Sequence, residues 1–136
     1  MCDNEFREEL ELLDRLNEND ELFEREFEII KDRYPIKDCN KVHDFISENR
    51  GLIIVLSKTD SLLSQYTPYV SHIYIELDDD PLFTPQLLLY VRAFKSDFGN
   101  GFKEDIKKID AMIDPLLFKL DLALEFFIFD GMVHDD

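Results

Sequence analysis

Apolar residues recur three or four positions apart through the first quarter of the chain, at Phe6, Leu10, Leu13, Leu16, Phe23, Phe27, Ile30 and Tyr34, with acids filling the other faces. That spacing predicts amphipathic helix. The stripe lapses at residues 17–20, NEND, where Asn17, Asn19 and Asp20 suit helix ends better than helix interiors. Two helices, or one bent helix, are expected there. Pro35 closes the element, because the residue before a proline is pushed out of helical conformation. Val42, Phe45 and Ile46 predict a shorter helix that begins near Asp38 or Asn40 and stops at Gly51.

From residue 52 the pattern changes. LIIVLS is continuous and β-branched, which predicts a strand buried on both faces. A short helix over 60–66 follows, with Ser57, Thr59 or Asp60 as its cap. Residues 70–77 alternate, Ile73, Ile75 and Leu77 on one face and His72, Tyr74 and Glu76 on the other, as in a half-buried strand. After a loop, residues 86–94 predict another strand. The turn at 95–101 then leads to a helix that starts near Lys103, carries Ile106, Ile109 and Ile113, and meets Pro115. Residues 120–129 fit both periodicities. Their aromatic density and the nearby Gly131 favour strand.

The resulting order is strand, helix, strand, strand, helix, strand. It predicts an α+β fold of the ferredoxin-like, split βαβ kind (βαββαβ), with a four-stranded antiparallel sheet. A helical extension over residues 1–50 would precede the sheet portion, 51–131, within a single domain covering 1–136. Right-handed crossovers would put both internal helices on one face of the sheet. The other face would then carry Tyr74, Tyr90, Phe94, Phe127 and Phe129, and such an aromatic patch calls for a cover. The N-terminal helix is the natural one; a second subunit and a stacked ligand are the alternatives.

Charge sharpens the functional reading. The 136 residues include 15 Lys/Arg and 31 Asp/Glu, a net −16. Residues 1–33 alone hold 13 acids and 5 bases, half of that net charge. Direct binding to nucleic acid is disfavoured, because the dominant electrostatic contribution would be repulsive, and anionic membrane surfaces are disfavoured for the same reason. Basic proteins or cations are what such a field attracts. No window approaches about 18 consecutive apolar residues, so no membrane span is expected. The charged start, MCDNEFREEL, predicts cytoplasmic residence. Cys2 and Cys39 form neither a CxxC motif nor a disulfide framework.

Several motifs invite chemistry and fall short of it. Lys58-Thr59-Asp60 after an apolar run is reminiscent of the base-reading corner of GTP-binding proteins. The phosphate cradle GxxxxGK[ST] does not occur, so a helix cap is the expected role of Asp60. Asp78 and Asp80, with His72, could gather a divalent cation, since carboxylates are hard-cation ligands; yet the calcium-loop pattern is missing. His43, His72 and His134 form no zinc-binding spacing. Gly99-Asn100-Gly101 reads as a turn and not as a phosphate nest. RNA-binding domains share the split βαβ order, but their aromatic and basic pattern is not matched here.

No cofactor is implied, beyond that divalent cation. The sequence therefore points to a small acidic, non-enzymatic interaction or regulatory protein, a monomer or homodimer, that binds a basic protein surface or itself. Glu8, Glu11, Glu18, Glu21 and Glu28 would supply charge, and Phe127 and Phe129 apolar anchoring. The rival is a small divalent-cation-dependent enzyme or ligand-binding domain built on the acidic loop at Asp78–Asp80.

Overall fold

A computed structural model describes residues 6–67, 72–80, 84–94 and 101–133, with the side chains of residues 72, 94 and 129–133 outside the description. Helices α1 (Arg7–Glu18), α2 (Asp20–Arg33), α3 (Cys39–Glu48) and α4 (Gly51–Tyr66) come first. Strands β1 (His72–Asp78) and β2 (Gln86–Phe94), helix α5 (Lys103–Lys119) and strand β3 (Phe126–Val133) follow. The split between α1 and α2 falls inside the polar notch. Asn19 leaves helical geometry there, and its side chain accepts from the Leu22 N–H at 3.1 Å.

The expected ferredoxin-like sheet is not formed. LIIVLS is not a strand: residues 51–66 make one continuous 16-residue helix, α4. The reason is that an apolar run cannot by itself distinguish a buried strand from a buried helix. Length decides here, because Leu52, Val55, Leu56, Thr59, Leu62 and Leu63 continue at helical spacing and are all buried. Thr59 is tolerated inside because its hydroxyl donates to the Val55 carbonyl at 2.7 Å. Asp60 accordingly lies within a helix and caps nothing.

The sheet therefore has three strands in the order β1-β2-β3, and it is mixed. β1 pairs antiparallel with β2 (Tyr74 opposite Tyr90), and β2 pairs parallel with β3 (Leu89 opposite Ile128). The parallel pair is joined through α5, since parallel neighbours need a crossover connection. Beside β1, residues 35–37 add one parallel bridge: Ile75 N–H donates to the Pro35 carbonyl at 3.0 Å and Lys37 N–H to the Ile75 carbonyl at 2.9 Å.

The last strand also differs from expectation, beginning at Phe126 instead of Leu120. α5 runs through Pro115 and ends in a Schellman closure. Leu122 N–H donates to the Leu117 carbonyl at 2.7 Å, and Asp121 N–H to the Phe118 carbonyl at 3.2 Å. Asp121 supplies the left-handed residue this closure needs, with φ 61°. Leu120 and Leu122 turn inward as a result. An added Cβ on Gly51 would stand 2.9 Å from Leu122 Cδ1, so glycine at the start of α4 admits this turn.

Ile75, Leu87, Leu89, Val91, Ala93, Phe126 and Ile128 form the buried face of the sheet. α3 packs against β1, α5 against β3, and α4 against α5. The α1–α2 pair packs on α4 and does not roof the aromatic side of the sheet. Once residues 51–66 are a helix whose first six residues are all buried, the stripes of α1 and α2 have that surface to cover. On the other side of the sheet Tyr74 and Tyr90 stack with ring centroids 4.6 Å apart, and Phe127 is 47% exposed.

Arg50 ties the ends of three helices together. It donates to the carbonyls of Leu16 at 2.6 Å and Ser47 at 3.2 Å, and pairs with Asp20 at 2.7 Å. Its guanidinium also sits 4.5 Å from the Phe23 ring centroid, and the side chain is 15% exposed. Charged hydrogen bonds of this kind are worth roughly 1.5–3 kcal/mol and a shielded cation–π contact adds about 1 kcal/mol. Arg50→Ala is expected to destabilise the fold by about 3 kcal/mol in urea unfolding, with Arg50→Lys recovering less than half, because one ammonium cannot serve three acceptors in a fixed fork. A loss below about 1 kcal/mol would mean that the helix ends hold together without it.

Candidate functional site

A groove of about 390 Å³ lies between α1, α2 and α4. Helix geometry sets its walls. Glu8, Glu9 and Leu12 come from α1, Glu26, Ile29 and Arg33 from α2, and Ile53, Ile54, Ser57 and Lys58 from α4. Each acid occupies the solvent side of a helix whose apolar stripe faces α4, so acidic rims flank an apolar interior.

One end of the groove is closed by a polar cluster. Tyr34 donates its hydroxyl to Asp60 Oδ1 in a short hydrogen bond, and Arg33 Nε contacts Asp60 Oδ2 at 2.7 Å. A second cavity, also about 390 Å³, touches the same three residues from the other side together with Leu63, Ser64, Thr67 and Ile73. The cluster thus partitions two hollows. A half-buried carboxylate needs a partner, and α2 brings two consecutive ones to it just before Pro35. Burial, reinforced by Asp60, pushes the Tyr34 phenol well above its usual range, and the Asp60 carboxylate holds the Arg33 guanidinium still more firmly protonated. Asp60 is committed as an acceptor to both neighbours, so the cluster is a clamp and offers no free base.

A second small hollow, about 330 Å³, lies between α2 and α3. There His43 Nε2 meets the Glu24 carboxylate, with Oε2 at 3.0 Å, and Nδ1 stands 3.5 Å from Asp44. Its ring meets Phe27 edge-on, with centroids 4.8 Å apart. Glu28, Lys31, Cys39 and Asn40 complete the lining.

The residues singled out in the sequence are distributed over opposite layers. Glu8, Glu11, Glu18, Glu21 and Glu28 are all exposed on α1 and α2. Glu8 stands at the groove, while Glu11 pairs with Arg7 at 3.2 Å and Glu28 with Lys31 at 3.8 Å. Phe127 lies on the far side of the sheet, since its neighbours Phe126 and Ile128 point into the core. Phe129 follows on the same strand, with its side chain outside the described residues. One flat partner cannot touch both sets.

His72 and Asp78 begin and end β1, roughly 20 Å apart at about 3.3 Å per residue, so a single ion cannot draw on both. Asp78 and Asp80 do share a hollow with Glu76 and Asp79, and Asp79 is paired with Lys41 at 3.3 Å. Among the described residues no group of three or more His, Cys, Asp or Glu is arranged to hold a metal ion. His134 and Gly99-Asn100 lie outside them. No helix of the described residues is long and apolar enough to cross a membrane.

Arg33, Tyr34, Asp60, Arg50 and the Glu24–His43 pair carry the polar organisation; of these the motifs drew attention to Asp60, but as a helix cap. Its partnership with Arg33 and Tyr34 follows only once residues 51–66 are read as helix. Comparison of the chain with protein-family models, with curated proteins and with solved structures gives no match.

Two outcomes follow from this geometry. Tyr34→Phe should cost about 1–2 kcal/mol in urea unfolding. That cost should largely vanish in an Asp60→Ala background, because the partner is then already gone. Glu24, chiefly, raises the His43 pKa above its usual value, with Asp44 adding to it and desolvation opposing. The folded state therefore holds the imidazole proton more tightly than the unfolded chain. Its contribution is complete below about pH 6.5, the unfolded value, and is lost as pH rises through the folded value. The stability gap between wild type and His43→Gln should accordingly be widest in mild acid and close on the alkaline side, as read from urea midpoints across a pH series.

Proposed function

We propose that this protein is a non-catalytic interaction protein whose α1–α2 layer binds a basic protein surface. The observation that carries this reading is the division of labour on those helices. Their apolar stripes are used up against α4, and the acids that remain outside include Glu8, Glu11, Glu18, Glu21 and Glu28. With 11 acids against 5 bases in residues 7–33, this layer presents a concentrated negative field to solvent. Such fields accelerate encounter with cationic partners and select against anionic ones.

The arrangement of titratable groups supports the same reading. Asp60, a half-buried carboxylate of the groove, is spent on Arg33 and Tyr34, and His43 is engaged by acids on both ring nitrogens. Neither arrangement pairs a nucleophile with a base in the manner of covalent catalysis.

The test is affinity purification from cells with the full chain and with a variant carrying Gln in place of all five glutamates. Partners are expected to be basic, to dissociate as salt is raised, and to be lost by the variant. Retention of every partner by the variant would sink the reading.

A further inference from the structure

We propose that the groove between α1, α2 and α4 is the docking site for a basic amphipathic helix, whose apolar side chains enter the groove while its cations meet the acidic rim. This inference rests on the acidic-layer reading and assigns the contact to one part of that layer.

The groove exposes one large apolar residue that the core does not use. Ile29 lines it while remaining 56% exposed, next in sequence to the buried Ile30. Beneath it lie Leu12, partly buried against the core, and the buried Ile53 and Ile54, so the floor of the groove is apolar while its rim is polar. At about 390 Å³ the hollow falls within the range that receives ligand side chains.

Charge complementarity selects the occupant. Glu8, Glu9 and Glu26 stand around the opening, against the cations Arg33 and Lys58, and Arg33 is already engaged by Asp60 at 2.7 Å. The opening is thus net acidic, and a cationic flank gains where an anionic one is repelled. The walls select a helix. They are themselves helices, and an apolar groove between helices receives anchors spaced three and four residues apart. A small polar ligand fits less well. Among the described residues no buried side-chain polar atom lacks a hydrogen-bond partner, and the clamp at the groove's end is internally satisfied.

The probe is a fluorescein-labelled helical peptide made of leucine and lysine, with a leucine–glutamate peptide as the control, read by fluorescence anisotropy. The lysine peptide is expected to bind and the glutamate peptide to fail. Ile29→Gln should weaken binding by about tenfold or more, because a central apolar anchor is lost without any change of charge. Leu12→Gln, on the opposite wall, should act the same way and serves if Ile29→Gln does not fold. Glu9→Gln with Glu26→Gln should weaken binding and flatten its salt dependence. Glu21→Gln with Glu28→Gln, away from the groove, should change it by less than about twofold.

The proposal is overturned if the groove variants bind like wild type, if both glutamine pairs weaken binding equally, or if the lysine peptide does not bind. Equal weakening would leave the acidic-layer reading intact, since the peptide would then be sensing the surface at large. It is also overturned if sedimentation finds a dimer that Ile29→Gln dissociates, because a second copy would then own the groove.

Discussion

The first six residues of α4, 51–56, are buried on every side, and covering them organises this protein. α4 buries nine of its residues, from Gly51 to Leu63. No single layer can do this, so α5 and the α1–α2 pair close around it, with α3 against it too. The sheet packs against α3 through β1 and against α5 through β3. Removing apolar area from water at about 25 cal/mol per Å² gives each of these contacts its driving force. Gly51 and Arg50, adjacent at the entry to α4, resolve the crowding: one leaves room for the Leu120–Leu122 turn, and the other holds the neighbouring helix ends in place.

Charge is arranged around this enclosure with economy. The bases are few, and many are engaged internally: Arg33 with Asp60, Lys37 with Glu76, Lys41 with Asp79, Arg50 with Asp20. Exposed pairs of this sort contribute little to stability. Their effect is on where charge lies, because Lys37 and Lys41 are spent on acids outside α1 and α2, while Arg50 offsets one acid of α2 itself. The acidity of the helical layer is thus partly a product of where the bases went, as well as of how many acids the sequence contains.

The amphipathic helices were legible because their stripes are one-sided. Phe23, Phe27 and Ile30 announce which face of α2 is inward, and Asn19 announces the break. β1 was legible because alternation is equally one-sided. α4 was not, because burial on all sides erases the periodicity from which helix and strand are told apart, and its Ile53, Ile54 and Val55 lean towards strand in isolation. That single misreading produced the fourth strand and left α1 and α2 to be placed on the wrong layer. The end of α5 was hidden for a different reason. Pro115 reads as a terminator although the helix passes through it, and the true terminator is an aspartate, Asp121, in a conformation usually given to glycine. The groove inherits these limits. Its acidic rim was visible in the charge count, but its α4 wall and the Arg33–Tyr34–Asp60 clamp exist only once α4 is a helix.

The attachment of α1 differs from that of its neighbours. Leu16 is the one residue of this helix that is fully buried, whereas α2 buries three and α4 nine. Free energies of local opening follow the area a segment withholds from water, so the chain contains a gradient of cooperativity that falls towards this end. Detaching α1 at Asn19 would uncover one bank of the groove while the α4 enclosure stayed shut on its other sides. The width of that cleft is therefore set by the docking strength of twelve residues, with Arg50 at the Leu16 carbonyl joining any opening of α1 to the ends of α2 and α3.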